Sequence, residues 1–362
     1  MAANPISGTI TAIATAFPRQ IRTNAWWDEH YPQLVANARE ATLAKVWADF
    51  ENGRASAYDR AIAQYLGDPF RGTVERRVMS PGMSAQQLEL AAARAALAAG
   101  DIDPASVDLI LLAALRPDSL VVGDAAFVVR ELGLRAPAIS FESACSSALV
   151  GLSLASDLIR AGRHRKILVI VCCTYTRDVD LGDSFSWFLG DGAAAFVVEP
   201  SDAHGLLGAH TIPTTETCGA FAYEPTIVEG AATLRLRANR AIAGKCIRDN
   251  SEAYLRRCVD GALSEAGLGL REVDALICNT PTAWFAQFCA EALDIEVSRT
   301  VDGYPQFANC GPTLWPSNLA TALREGKLEA GDLVLGFAIG SVSTATSVVF
   351  RAGEIAVGGV EI

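Results

Sequence analysis

The sequence predicts an α/β protein made of two related halves, residues 1–200 and 201–362. Short apolar segments typical of buried strands alternate with helical patterns, which favours largely parallel sheets. The second half also repeats the first in register. Asp108 and Asp274 lie in matching segments 166 positions apart, and Cys145 and Cys310 precede matching helical patterns 165 positions apart. This register indicates a duplication, although unrelated helix–strand units can mimic one.

Each element follows from its local pattern. Residues 8–15 alternate as a strand does, whereas continuously apolar segments indicate strands buried on both faces. Apolar residues at helical spacing predict the helices. Residues 22–70 are predicted to form helices and loops, with an extra segment near 30–70 that the second half lacks. The other predicted strands cover residues 107–114, 167–172, 193–198 and 273–278, and predicted helices cover residues 84–99 and 125–132.

Composition limits the function classes. Of the 362 residues, 51% are hydrophobic and 20% are charged, which is typical of a folded globular chain. The net charge of −11 argues against nucleic acid as a partner. Nine cysteines without a C-x-x-C pair argue against a disulfide framework or a metal site. With no apolar run of about 18 residues and no signal-peptide pattern, we expect a cytoplasmic protein that does not enter a membrane.

The stretch 138–166 contains the strongest candidate for chemistry. An apolar run breaks before Cys145, and leucines at roughly helical spacing follow it. A cysteine at a helix N-terminus lies beside unpaired N–H groups and the positive end of the helix dipole, which favour the thiolate. The thiolate is the form that acts as a nucleophile. The alternative interpretation is a small buried core cysteine.

Five segments carry a family resemblance: R-T-N at residues 22–24, G-T-V-E-R-R-V at 72–78, S-A-C-S-S-A around Cys145, G-D-G-A at 190–193, and residues 338–347. They resemble the signatures of the thiolase superfamily, and more closely those of the ketoacyl-synthase III group of condensing enzymes and acyltransferases. The resemblance covers nearly the whole chain. It implies a five-layered αβαβα fold and a homodimer. It also implies that Cys145 is acylated from acyl-coenzyme A or from the phosphopantetheine arm of an acyl carrier protein, without a permanently bound cofactor.

The resemblance also implies a set of catalytic residues. The family's triad is Cys, His and Asn; Asn309 matches the asparagine position, but Asn279 stands where the family has its histidine. A carboxamide donates hydrogen bonds but cannot take up a proton as an imidazole does. None of the chain's four histidines falls on that loop, and Cys310 beside Asn309 is a further possibility. The backbone N–H groups of Cys145 and Ser341 are expected to form the oxyanion hole.

Six positions are expected to contact substrate. Two valines lie where the family closes the acyl pocket with residues from the dimer mate. Two tryptophans are candidates for the pantetheine entrance, or else pack the extra segment. Two basic residues belong to a cluster between residues 235 and 257 that either attracts an acidic carrier protein or coenzyme A phosphates, or is a solvated helix face. These residues are Val121, Val122, Trp26, Trp27, Arg240 and Lys245.

The leading interpretation is an acyltransferase or condensing enzyme of specialised, polyketide- or fatty-acid-type metabolism that works through a Cys145 thioester. The missing histidine argues against decarboxylative condensation with a malonyl unit, so transfer to an amine or alcohol stays open. A non-catalytic partner subunit of a ketosynthase heterodimer would explain the lost histidine but not the retained cysteine. A thioester hydrolase on the same scaffold would need a water-activating base that the sequence does not reveal.

Overall fold

The computed structural model describes residues 6–43, 55–228, 230–239, 242–340 and 343–362. Most of this backbone forms strands and helices that alternate along the chain. The strands are β1 (Ser7–Phe17), β2 (Ile21–Thr23), β3 (Glu75–Arg77), β4 (Leu109–Ala114), β5 (Ala138–Ser140), β6 (Ile167–Thr174), β7 (Asp191–Ser201), β8 (Gly205–Pro213), β9 (Phe221–Val228), β10 (Ala231–Ala238), β11 (Ala275–Cys278), β12 (Leu333–Gly340), β13 (Thr344–Arg351) and β14 (Ala356–Glu361).

The helices connect these strands and cover the sheets. Several shorter 3-10 turns join them, and one of these turns, Ala144–Ser146, carries Cys145. The α-helices are α1 (Asn24–His30), α2 (Pro32–Leu43), α3 (Ala57–Ala63), α4 (Ala85–Ala99), α5 (Ala125–Leu132), α6 (Ser147–Arg160), α7 (Ile247–Ala266), α8 (Phe285–Leu293), α9 (Tyr304–Phe307) and α10 (Leu314–Arg324).

Two large sheets organise the chain. The first has the order β14-β1-β7-β6-β4-β5 and the second the order β11-β12-β13-β8. The series β1-β7-β6-β4 and β8-β13-β12-β11 contain the same succession of antiparallel, antiparallel and parallel pairs. The last strand, β14, pairs with β1 and so belongs to the first sheet. The division of the chain at residue 200 stays a prediction.

The sheets are mixed, so the prediction of largely parallel sheets is wrong. β7 runs antiparallel to both β1 and β6, and β13 runs antiparallel to both β12 and β8. A parallel pair needs a crossover, usually a helix, to return the chain to the same end of the sheet. Only 3-10 turns separate β6 from β7, and three residues separate β12 from β13. Each of these connections therefore reverses the strand direction.

Three buried clusters define five layers. The central cluster joins the inner faces of both sheets to α6 and α10, with side chains such as Leu152 and Leu319 between the sheets. Another cluster packs α4 and α5 against the outer face of the first sheet, for example through Leu88. The remaining cluster packs α7 and α8 against the outer face of the second sheet, through Val259 and Phe288. The layers are therefore α, β, α, β and α.

Local patterns explain most element boundaries. The helix predicted over residues 84–99 is α4, and its N-cap Ser84 accepts a hydrogen bond from the Gln87 N–H in a capping box. The helix predicted over residues 125–132 is α5, which ends at Gly133 in the left-handed conformation. The strand predicted over residues 8–15 is β1, but almost all of its residues are buried because helices cover both faces of the sheet. Part of the predicted extra segment, residues 44–54, lies outside the described residues.

Gly190 allows a close approach between the start of β7 and the loop that carries Asn309. A Cβ atom at this position would lie 2.1 Å from the Phe307 carbonyl oxygen and 3.0 Å from Cys310 Sγ. We expect Gly190→Ala to lower the free energy of unfolding by about 1–3 kcal/mol through overpacking. Urea unfolding measures this change. Gly67→Ala is the matched control, because no heavy atom lies within 4 Å of the added methyl group, and an equal loss in both variants would contradict the packing explanation.

Candidate active site

A cavity of about 970 Å³ opens next to the turn that carries Cys145. Apolar and aromatic side chains form much of its wall, including Leu189, Phe285 and Trp284. Cys145 and Asn309 both line it, although they are 164 positions apart in the chain. A mainly apolar cavity with a few convergent polar groups is the usual form of a small-molecule site.

Cys145 lies in the 3-10 turn before α6, as its sequence context predicts. The preceding residue, Ala144, has φ of +51°, a strained conformation for a residue with a side chain. Glu142 Oε1 accepts a 2.5 Å hydrogen bond from the Ala144 N–H and a 3.2 Å bond from Ser147 Oγ. From the second sheet, Thr344 Oγ1 bonds Ser146 Oγ at 2.8 Å. The turn is therefore held from both sides, and it presents the Cys145 side chain at the cavity wall.

The thiol of Cys145 is not activated in the way that the sequence argument expects. The pKa of Cys145 is raised to about 12, mainly by burial; a hydrogen bond with Tyr175 acts to lower this pKa, and the charge of Glu142 acts to raise it. The residue is only 6% exposed, so water cannot stabilise the thiolate and the desolvation cost exceeds the benefit of the helix start. The prediction of a favoured thiolate is wrong, because the resting form is the neutral thiol.

This raised pKa gives a testable pH dependence. Because only the thiolate reacts with iodoacetamide, and its fraction grows with pH below the pKa, alkylation of Cys145 should accelerate about tenfold per pH unit between about pH 7 and pH 10. Timed alkylation followed by peptide mass spectrometry measures the rate at each pH. The exposed Cys218 serves as an internal reference in the same samples. A plateau for Cys145 near pH 8 would contradict the raised pKa.

Hydrogen bonds of its backbone groups hold Asn309 in place. Its N–H donates to the Phe188 carbonyl oxygen at 2.9 Å, and its carbonyl oxygen accepts from the Gly190 N–H at 3.0 Å. Its Oδ1 accepts a 2.9 Å hydrogen bond from the Gly311 N–H. Like the residue before Cys145, the residue before Asn309 is an alanine with positive φ, since Ala308 has φ of +55°. The turn that follows Asn309 contacts the turn that carries Cys145.

Asn279 lies at the carboxyl end of β11 and is fully buried. Its N–H donates to the Phe337 carbonyl oxygen, and its Oδ1 accepts a 3.2 Å bond from the Trp315 N–H. Its Nδ2 donates to no described residue, which leaves a buried donor without a partner. Asn279 itself is not among the described residues of the cavity wall, but Thr282, three positions later, is.

The structure places the six predicted substrate-contact residues in different surroundings. Lys245 lines the cavity and forms an ion pair with Asp249. Trp27 is fully buried against Trp187, and neither predicted tryptophan is among the described residues of the cavity wall. The two valines are exposed. Arg240 and the predicted oxyanion-hole residue Ser341 lie outside the described residues.

Sequence reasoning missed Tyr175, whose side chain lines the cavity beside Cys145. The hydroxyl of Tyr175 forms a hydrogen bond with the Cys145 thiol. The signal was its position directly after the carboxyl end of β6, where polar residues of α/β proteins often meet at a site. None of the four histidines is among the described residues of the cavity wall. Cys310 is fully buried, and its Sγ donates to the Phe307 carbonyl oxygen at 3.1 Å.

The described residues include no group of three or more His, Cys, Asp and Glu side chains that could hold a metal ion. None of their helices is both long and apolar enough to cross a membrane.

Known proteins resemble this chain over most of its length. Residues 140–213 match the sequence family of 3-oxoacyl-[acyl-carrier-protein] synthase III. Residues 263–352 match the sequence family of the C-terminal region of the same enzyme. The β-ketoacyl-[acyl-carrier-protein] synthase III of Alkalilimnicola ehrlichii is 30% identical over 289 residues, which cover 77% of this chain and 88% of the relative. The enzyme of the same name from Brucella suis is 28% identical over 307 residues, which cover 84% of this chain and 93% of the relative.

Solved structures show the same fold. The 3-oxoacyl-(acyl carrier protein) synthase III of Pseudomonas aeruginosa PAO1 superposes with a TM-score of 0.78 at 22% identity, covering 96% of this chain and 98% of that chain. OleA of Xanthomonas campestris, solved with lauric acid and lauroyl-CoA, superposes with a TM-score of 0.74 at 17% identity, covering 95% of this chain and 99% of that chain. The predicted five-layered thiolase-like α/β fold is confirmed. This chain belongs to the 3-oxoacyl-[acyl-carrier-protein] synthase III family of acyl-transferring condensing enzymes.

Proposed function

We propose that this chain accepts an acyl group on Cys145 Sγ from acyl-coenzyme A or an acyl carrier protein and transfers it to an acceptor molecule. The observation that carries the proposal is that Cys145 and Asn309, which match two residues of the family's triad, line one cavity. The apolar wall of this cavity suits an acyl chain. Relatives of this chain are named for acyl carrier protein, and OleA was solved with a coenzyme A thioester.

The proposed chemistry uses four hydrogen-bond donors. The two carboxamides, Asn279 and Asn309, would donate to the thioester oxygen or to a developing enolate. The backbone N–H groups of Cys145 and Ser341 would form the oxyanion hole, where one donor contributes about 3–4 kcal/mol of transition-state stabilisation. No permanently bound cofactor is needed, because coenzyme A or phosphopantetheine arrives and leaves with the substrate.

The missing histidine limits which acceptor molecules the site can use. Decarboxylation of a malonyl unit relies in this family on the histidine that Asn279 replaces. A carboxamide cannot accept a proton, so this site favours an acceptor that brings its own reactive group. An amine or alcohol would attack the Cys145 thioester and form an amide or ester. We propose that the enzyme works in specialised, polyketide- or fatty-acid-type metabolism. We also propose a cytoplasmic location, where coenzyme A and carrier-protein thioesters occur.

We also propose a homodimer. Leu120, Val121 and Val122 are 62%, 97% and 66% exposed and lie together on one loop. Ile139, 51% exposed, lies on β5 at the edge of the first sheet. A contiguous exposed apolar patch beside an unpaired strand edge is typical of an interface. In a dimer, the two valines would reach the acyl pocket of the partner subunit, as the family resemblance implies.

A second candidate function is a non-catalytic subunit that pairs with an active homologue. The high pKa of Cys145 and the missing histidine both favour it. Intact-mass spectrometry after incubation with acetyl-, hexanoyl- or lauroyl-coenzyme A, and with the matching acyl carrier proteins, separates the functions. The proposed enzyme should gain the mass of one acyl group. No adduct with any donor would contradict it and favour the partner subunit, whereas rapid release of free acid would indicate a hydrolase.

A further inference from the structure

Tyr175 is the titratable side chain that forms a hydrogen bond with the Cys145 thiol. Both residues line the same cavity. Tyr175 begins the 3-10 turn Tyr175–Arg177, directly after β6, while Cys145 lies in the turn before α6. The carboxyl end of β6 therefore places the phenol of Tyr175 near Cys145, the proposed nucleophile. Neither the family signatures in the sequence nor the two carboxamides account for this contact.

The backbone that carries Tyr175 is rigidly anchored. Every residue from 174 to 178 except Tyr175 uses a side chain or backbone group to bond a neighbouring segment, and Asp191 of the G-D-G turn is one of the partners. The bonds are Thr174 Oγ1 to the Arg116 carbonyl oxygen at 3.2 Å, the Thr176 N–H to Asp191 Oδ1 at 2.9 Å, Arg177 Nη1 to Asp118 Oδ1 at 2.6 Å, and Arg116 Nε to Asp178 Oδ2 at 2.8 Å.

The ring of Tyr175 is held as firmly as its backbone. It packs against a buried cluster formed by Val179, Leu189 and Leu236, together with aromatic residues of β9. The packing of the ring therefore limits where its hydroxyl can point. Groups that are pre-positioned in this way lose little entropy when they react.

The chemistry of acylation requires such a group. A neutral Cys145 thiol must lose its proton as the sulfur attacks, and the two carboxamides cannot accept it. Other titratable groups near the sulfur are less suited. Glu142 binds the Ala144 N–H and Ser147 through Oε1, and its charge opposes the thiolate. The thiol of Cys173 is fully buried, and burial raises its pKa well above the ordinary value.

We propose that Tyr175 is a catalytic residue that relays the proton of the Cys145 thiol to the departing thiol of the acyl donor. This inference rests on the proposed function. The two proton movements occur in one concerted step. The thiol proton moves to Tyr175 Oη as Cys145 Sγ bonds to the thioester carbon, while the original phenolic proton of Tyr175 moves to the donor sulfur as the bond between that carbon and the donor sulfur breaks. The donor leaves as a neutral thiol, Cys145 carries the acyl group, and Tyr175 is neutral before and after.

A neutral relay fits the state of this phenol. Burial raises the pKa of Tyr175 well above its ordinary value, and the nearby Cys145, Cys173 and Tyr223 raise it further. Tyr175 therefore keeps its proton at neutral pH and cannot act as a standing base. A relay needs only an exchange of one proton for another, which a hydroxyl can make because it is both donor and acceptor.

The test compares Tyr175→Phe with the parent protein and with Tyr223→Phe. Tyr223 is the matched control, because it belongs to the same cluster and its Oη bonds no described residue. The rate of adduct formation from hexanoyl-coenzyme A, or from whichever of acetyl-, hexanoyl- and lauroyl-coenzyme A acylates the parent fastest, is followed by quenched intact-mass spectrometry. The range of about pH 7 to pH 9 keeps Asp191 ionised, since burial raises the pKa of this anchor to about 6.

The parent should acylate at a rate that changes little with pH, because the relay needs no external base. Tyr175→Phe should acylate about 10²-fold more slowly at pH 7 and should accelerate about tenfold per pH unit, because solvent must then remove the proton. Tyr223→Phe should behave as the parent. Equal rates and pH profiles for Tyr175→Phe and the parent would overturn the relay alone, as would equal slowing of both Phe variants. A parent that forms no adduct would overturn the relay together with the proposed function.

Discussion

The Cys145→Ala variant is expected to form no acyl adduct and to lose about 10⁴–10⁶-fold in product formation, the usual scale for removing a nucleophile. The variant keeps the backbone N–H of residue 145, so the proposed oxyanion hole stays in place and only the sulfur is lost. Intact mass reports the adduct, and chromatographic detection of released coenzyme A reports turnover. Folding should be preserved, because alanine fits the same turn in a smaller volume.

Cys310→Ala is the matched control for this loss. Cys310 is likewise a buried cysteine, next to a 3-10 turn and at the matching position of the predicted duplication, but its thiol donates to the Phe307 carbonyl oxygen. We expect this variant to keep its adduct and to retain activity within about tenfold, since it loses packing and one hydrogen bond but no reacting atom. If the adduct still forms in Cys145→Ala but is lost in Cys310→Ala, the acylated residue is Cys310 in the second half of the chain. This result would contradict the assignment of Cys145 as the nucleophile.

The Asn279→His variant is expected to gain decarboxylation of malonyl-coenzyme A by about 10²–10⁴-fold, the usual contribution of a positioned proton-transfer group. An imidazole at the end of β11 would restore the side chain that the family uses for this step. It would also lose the bond that Asn279 Oδ1 accepts from the Trp315 N–H, so a lower free energy of unfolding should accompany the gain. Loss of malonyl-coenzyme A and appearance of acetyl-coenzyme A measure the reaction.

The Asn279→Gln variant tests whether a gain in decarboxylation comes from the imidazole or only from a larger side chain. Glutamine enlarges the side chain but remains a carboxamide that cannot accept a proton, so it should show no gain. Decarboxylation that rises equally in both variants would mean that space rather than the imidazole limits the reaction. No gain with histidine would mean that the substitution at position 279 does not determine which reaction this site performs.

Local sequence patterns predict much of the fold. Ser84 and Gln87 define the start of α4, and Gly133 ends α5. Strand direction could not be predicted, because it depends on the connections before β7 and β13 rather than on the strands themselves. Likewise, the alternation along β1 predicted a strand but not the burial of both its faces, which depends on helices that are distant in sequence.

The candidate site was predictable where residue type and local turn suffice. Cys145 and Asn309 follow from their turns and from the family resemblance, and both line the cavity. The protonation state of Cys145 was not predictable from a helix start, because burial has the larger effect on its pKa. Tyr175 was missed because its contact with Cys145 joins segments 30 positions apart. Only the three-dimensional packing of β6 beside the Cys145 turn reveals it.

The most direct test of the proposed acyl intermediate is peptide mapping of the acid-quenched protein after brief exposure to the fastest-reacting acyl-coenzyme A. The site predicts that the acyl mass is found on the peptide that contains Cys145, as a thioester that neutral hydroxylamine removes. An acyl group on a different residue, or sustained turnover with an unmodified Cys145 at every time point, would contradict it.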